Sequence, residues 1–149
     1  MGNETNNKRF YWLKLQDNFF KNARIKKLRK IAGGETYVII YLELMLMTLK
    51  ENGLFIYEGI EETIEEEIAL KLDENIDNVK ILWSYLIANQ MVEEKENGDI
   101  LLVEAKQNIG SETYNNIYKK NKKLEYFQSI SNQFPIEKDI EVEKDIEKE

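Results

Sequence analysis

Apolar residues are densest over residues 36–49, where Thr-Tyr-Val-Ile-Ile-Tyr-Leu-Glu-Leu-Met-Leu-Met-Thr-Leu places apolar side chains at 11 of 14 positions. They go round the whole helical wheel, which predicts a central helix with neighbours on several sides. The run is too short for a bilayer, which takes about 20 residues. Gly33-Gly34 break the chain before it, and Asn52-Gly53 supply the stop after it. Upstream, residues 8–16 alternate with the period of an edge strand, Tyr11, Leu13 and Leu15 on one side and Phe10, Trp12 and Lys14 on the other. Phe19-Phe20 read as an aromatic plug for the core. Asn22 suits the N-cap of a helix over residues 23–32, whose inner stripe is Ile25, Leu28 and Ile31.

Downstream, residues 53–57 predict a short strand and Glu58-Gly59 a turn. A third helix starts at Thr63, which has capping-box spacing to Glu66 and a buried stripe of Ile64, Ile68, Ala69 and Leu72. Glu61, Glu62, Glu65, Glu66 and Glu67 are expected to form a solvated face, because acids are favoured in a helix's first turn. A fourth helix over residues 76–89, capped by Asp73 or Asn75, buries Val79, Leu82, Trp83, Leu86 and Ile87 and exposes Asn78, Lys80, Ser84 and Gln90. Asn97-Gly98 then predicts a two-residue hairpin within residues 91–103. The order implies a mainly α fold with a small β component (α+β): a winged helix-turn-helix with a long buried central helix as its floor and a β-hairpin wing. The domain is expected over residues 8–112, after a disordered N-terminus at 1–7. A basic polar arm, helical or extended, follows at 113–132, and a charged low-complexity linker or tail at 133–149 repeats Glu-Lys-Asp-Ile-Glu at 137 and 143.

Composition narrows the chemistry. The 149 residues contain neither cysteine nor histidine, which removes disulfides, thiolate nucleophiles, serine–histidine triads and the usual zinc sites. No nucleophile–base pair or phosphate loop is visible, so no enzyme activity, catalytic residue, metal or cofactor is expected. The polar N-terminus lacks an apolar signal segment, which points to the cytoplasm. The net charge of −7 averages over blocks of opposite sign. Residues 1–60 hold ten Lys or Arg against six acids, and residues 61–112 hold four against fourteen. Residues 113–132 are basic again, and residues 133–149 acidic. A field this divided selects partners by face.

The residues also carry a resemblance. Tyr11-Trp12-Leu13-Lys14-Leu15, Phe19-Phe20, Ile25-Lys26-Lys27-Leu28-Arg29, Gly33-Gly34 and Tyr37-Val38-Ile39-Ile40-Tyr41-Leu42 resemble the N-terminal region of phage replisome organizer proteins. Glu61-Glu62-Thr63, Glu67-Ile68-Ala69-Leu70 and Ile109-Gly110-Ser111-Glu112 look like later landmarks of that family, so the likeness spans about residues 8–112. It implies a winged-helix domain of a phage or prophage replication initiation protein, related to DnaD-type primosomal proteins, that binds origin DNA or self-associates. Host replication proteins would be engaged only through a C-terminal domain, which is expected to be absent here.

The partners expected are therefore DNA and a second copy of the chain, a homo-oligomer, with no membrane. Lys21, Arg24, Lys26, Lys27, Arg29 and Lys30 put six cations into ten residues with no acid among them, which suits a phosphate-tracking face. Asn75, Asn78 and Lys80 on the fourth helix are candidate specificity contacts, and Lys95 and Asn97 on the wing are candidate contacts to an adjacent groove or backbone. Lys119, Lys120, Lys122 and Lys123, set among aromatics, are candidate arm contacts. The alternative is a self-associating primosome scaffold whose basic and acidic faces complement each other between copies, with Phe10 and Trp12 at a seam.

Overall fold

Asn22 is extended, and its side-chain oxygen accepts the N–H groups of Arg24 and Ile25 at 2.8 and 3.4 Å, which starts helix α1 (Ala23–Lys30). The helix ends two residues short of the expected limit because Ile31 turns extended, its N–H on the Leu28 carbonyl. Gly33, at a φ of +82°, redirects the chain into helix α2 (Gly34–Met47). A Cβ at Gly34 would overlap the Arg29 carbonyl, so this glycine lets α2 begin against the backbone of α1. The structure, a computed structural model, describes residues 8–133. Expectations for residues 1–7 and 134–149 lie outside the described residues.

Tyr37, Val38, Ile40, Tyr41, Leu44 and Met45 of α2 are buried in a core shared with Ile25, Leu28, Ile68, Leu82 and Leu86. Burial all round the helix is not what the structure has. Ile39 and Leu46 are 52% and 53% exposed, because no element of the compact unit Tyr11–Ser111 covers that side. The Phe19-Phe20 plug is likewise divided: in a tight 3-10 turn (Phe19–Lys21) adjacent side chains point apart, so Phe19 is buried and Phe20 exposed. The two rings meet edge-on at 4.9 Å.

Strand β1 (Arg9–Leu13) is shorter than its alternating pattern, leaving Leu15 exposed. After α2, strand β2 (Leu54–Phe55) leads to helix α3 (Ile64–Leu72). Thr63 and Glu66 form the reciprocal capping box, each side chain on the other's N–H at 3.1–3.2 Å. Asp73, left-handed at φ 59°, closes α3, and Asn75 caps helix α4 (Ile76–Ala88). Strands β3 (Val92–Glu94) and β4 (Ile100–Leu102) complete an antiparallel sheet in the order β2-β4-β3. Leu101 of β4 lies opposite Leu54 on one side and Glu93 on the other. The fold is thus α+β, with helix, turn, helix and hairpin in the expected order.

The hairpin has a three-residue loop and not the expected two. Lys95 N–H bonds the Asp99 carbonyl at 2.8 Å and Gly98 N–H the Lys95 carbonyl at 3.0 Å. A two-residue type I′ turn needs positive φ at both central residues, and of Asn97 and Gly98 only Gly98 has it. Two further elements had no clear pattern in the sequence: a short helix α5 (Val103–Gln107) and strand β5 (Ile109–Thr113), which pairs with β1. The Trp12 indole packs so closely on Gly110 that a Cβ there would overlap it. Helix α6 (Tyr114–Gln133) belongs to a second unit; within it Lys120 pairs with Glu112 at 2.9 Å, and the Tyr126 and Phe127 rings lie 6.0 Å apart. Among the described residues, no helix is long and apolar enough to cross a membrane.

The acidic run before and within α3 is not one solvated face. Glu67 is fully buried, and its carboxylate accepts the N–H of Glu58 at 2.7 Å, the N–H of Ile60 at 2.8 Å and an ion pair from Lys71 at 3.2 Å. Lys71 also reaches the Glu58 carboxylate and the Ile56 carbonyl. Burial works to raise the Glu67 pKa, but the two backbone N–H groups and Lys71 outweigh it and hold the acid below the usual range. Glu67→Gln presents one carboxamide N–H₂ to a backbone donor and removes the charge facing Lys71. It should cost about 2–4 kcal/mol at pH 7 by urea denaturation. The native carboxylate's contribution is full above the unfolded-state pKa of about 4.3 and is lost as pH falls through its lower folded value. The gap between native protein and variant should therefore close below about pH 4.

Candidate nucleic-acid interface

Helix α1 places its apolar residues Ile25 and Leu28 in the core, which turns the intervening positions outward. Lys21, Arg24, Lys26, Lys27, Arg29 and Lys30 are all exposed. Of the six, among the described residues, Arg29 alone pairs with an acid: its Nη2 lies 2.9 Å from Glu35, which raises the guanidinium pKa further. The Arg29 guanidinium also lies over the exposed Phe20 ring at 5.4 Å. The other five make no ion pair among the described residues. Glu35 was not expected as a partner of Arg29, because six residues and a helix break separate them; the Gly33-Gly34 turn brings them together.

Arg24 is fixed at its backbone. The Tyr85 hydroxyl of α4 donates to the Arg24 carbonyl at 2.6 Å and ties the start of α1 to α4. Burial pushes the Tyr85 pKa up, with the nearby Arg24 charge acting against it.

The candidates on α4 and the wing sit in a different electrostatic setting. The Asn75 side-chain oxygen is engaged as a cap, accepting the N–H groups of Asp77 and Asn78 at 2.8 and 3.1 Å. Asn78 is half-buried, and Lys80 is exposed beside Ile81, which is 42% exposed. On the wing, Lys95 pairs with Glu93 at 3.3 Å. The Asn97 amide bonds the Asp99 carboxylate at 3.0 Å, and its oxygen accepts the Asp99 N–H at 3.0 Å. Glu93, Glu94 and Glu96 are exposed around them. Lys119, Lys120, Lys122 and Lys123 are exposed on α6, with Lys122 3.7 Å from Glu125. The structure thus gathers six of the fifteen candidate residues on α1 and its approach, and leaves the others on separate elements.

Residues 12–129 match the model of the N-terminal phage replisome organiser family. The chain belongs to this family. Membership ties the phage replisome organiser domain to phage replication, and the match runs beyond Glu112, where the sequence likeness was expected to end, through most of α6. No curated protein and no solved structure matches the chain.

The basic face of the organiser domain depends on α1 being formed. Asn22→Ala removes an acceptor for two otherwise orphan N–H groups, and should lower stability by about 1 kcal/mol. Chemical denaturation would check this.

Proposed function

We propose that this chain is a DNA-binding winged helix-turn-helix domain of a phage replication initiation protein, held on DNA phosphates chiefly by helix α1. The observation that carries the reading is the face of α1 and its approach, on which Lys21, Arg24, Lys26, Lys27 and Lys30 are exposed and make no ion pair among the described residues. Phosphate contacts supply most of the affinity of such proteins and need unpaired cations. The wing supports no such contact, because three exposed glutamates surround a lysine already paired with one of them. Lys119 and Lys123 of α6 offer further exposed cations of their own. The activity is binding and not catalysis, carried out in the cytoplasm.

Neutralising Lys26, Lys27, Arg29 and Lys30 together to Gln tests this. The log–log salt slope of duplex binding, read by fluorescence anisotropy, should fall by about three to four, with a large loss of affinity at low salt. Unchanged binding and slope would remove α1 from the interface.

A second reading, self-association, is favoured by the uncovered side of α2. Ile39 and Leu46 there are large apolar side chains left exposed along one side of the helix. Glu43 lies between them on the helix, its Oε1 buried without a donor among the described residues. Burial and the adjoining Glu74 carboxyl push the Glu43 pKa up. If copies meet through this side, sedimentation should show a concentration-dependent dimer that Leu46→Glu abolishes while the fold persists. A monomer at every concentration would exclude the reading.

A further inference from the structure

A polar cavity of about 290 Å³ opens beside the start of α1, bounded by the chain before that helix, by Tyr41 of α2, by the end of α4 and by α5. Its volume is at the low end for small-molecule sites, enough to enclose one planar ring. The lining is of two kinds. Phe19, Met91 and Val103 offer apolar surface, whereas Asn18, Gln90 and Gln107 offer carboxamides that make no side-chain hydrogen bond among the described residues. Asn22 and Asn108 differ, since both are spent on the backbone.

Two charged groups face the same space. Glu104 is held by the Tyr41 hydroxyl, which donates to its Oε1 at 2.6 Å and leaves Oε2 as an acceptor. Arg24 also lines the cavity and makes no ion pair among the described residues.

Gln90 supplies an independent observation. It lies just past α4 with φ 57°, where the Met91 N–H reaches the Leu86 carbonyl at 2.9 Å and the Gln90 N–H the Ile87 carbonyl at 3.1 Å. That is a Schellman closure, and its left-handed position ordinarily takes glycine. Among the described residues, the other non-glycine residues at positive φ are Asn52 and Asp73, the types that tolerate it. Glutamine lacks their short polar side chain and adopts this region less readily. The chain keeps a strained glutamine where glycine would close the helix more easily, and its side chain lines the cavity.

We infer that this cavity receives a single unpaired nucleobase, with Glu104 and the carboxamides meeting its polar edge, the apolar lining its faces, and Arg24 the adjoining phosphate. The chemistry is that by which proteins take up splayed-out bases, with hydrogen bonds to the edge and apolar contact to the ring. A carboxylate acceptor favours bases that carry an exocyclic amino group, as in cytosine, over thymine. The inference rests on the proposed DNA-binding reading for the source of the base, since Arg24 belongs both to the cavity and to the basic face of α1. The same chemistry would also accept a free mononucleotide.

The test is fluorescence anisotropy of the whole chain on three single-stranded oligonucleotides of equal length: oligo-dC, oligo-dT, and oligo-dC with central abasic positions. Binding to oligo-dC should be at least about tenfold tighter than to the abasic strand, the worth of one charge-assisted hydrogen bond, with oligo-dT between them. Gln90→Gly and Glu104→Gln should each bring oligo-dC binding down towards the abasic level. The melting temperature of Gln90→Gly should not fall, because glycine suits that backbone, and this separates lost recognition from lost fold. Equal binding of dC and abasic strands would overturn the inference while leaving phosphate binding by α1 intact. So would a dC preference that survives both substitutions. Should the native chain bind no DNA of any kind, the proposed function fails and titration with dCMP followed by NMR decides for the cavity alone. Shifts at Gln90 and Glu104 would support a mononucleotide site, and their absence would overturn it.

Discussion

One buried carboxylate joins the two halves of this domain. Glu67 projects from the first turn of α3 into a place where water cannot reach it, and a bare carboxylate there would be untenable. It is tolerated because the chain leaving β2 turns the N–H groups of Glu58 and Ile60 onto it and Lys71 closes the other side. The loop is therefore shaped around the charge. Lys71, one helical turn on, lies over the Phe55 ring at 5.0 Å and reaches the Ile56 carbonyl, so the same cluster fixes strand β2 to helix α3. The position of the α3–α4 unit over the sheet follows from that attachment.

Helix α2 does the complementary work on the other side of the core. It begins against α1 because Gly34 has no side chain, and its buried face receives α1, α3 and α4. Because α1 is pressed to α2 through Ile25 and Leu28, its remaining positions must face solvent. Six of these positions, counting Lys21 just before the helix, are cationic. The basic face is thus a consequence of how the core is filled, and its rigidity comes from the Asn22 cap and the Tyr85 bond to the Arg24 carbonyl.

Much of this was legible in local signals. The capping box at Thr63 and Glu66, the Asn22 and Asn75 caps, and most of the helical stripes depend on residues within a few positions of one another and are formed as read; the exceptions are Ile31, which falls past the end of α1, and Ile87, read as buried on α4 but 55% exposed. The cationic character of α1 was equally plain. What the sequence concealed depends on contacts distant in the chain. Glu67 looked like its neighbours Glu65 and Glu66, because nothing local distinguishes an acid that faces backbone donors from one that faces water. The pairing of β1 with β5 joins ends of the domain some hundred residues apart. The uncovered side of α2 was unreadable for the reverse reason: apolar composition reports what could be buried, and only the packing shows what is. The hairpin is an intermediate case, since Asn97-Gly98 marked its place while the backbone of Asn97 decided the loop length.

The distribution of charge constrains how a polyanion could lie on this domain. In a usual helix-turn-helix docking, the second helix enters the major groove and the wing touches neighbouring backbone. Here that approach would bring Glu93, Glu94 and Glu96 towards phosphates with Lys95 already paired, and exposed charges within about one Debye length, roughly 8 Å, repel with little screening. Approach along α1 meets the opposite field, with one carboxylate, Glu35, against six cations and that carboxylate held by Arg29. The same architecture can therefore present its helix-turn-helix to something other than a groove. Ile81 and Ile87 of α4, 42% and 55% exposed at separate places on the helix, are poor ligands for phosphate and better ones for another protein. The basic first helix and the acid-flanked wing thus present opposite fields on separate elements, and the order of charges along the chain already divides them in this way.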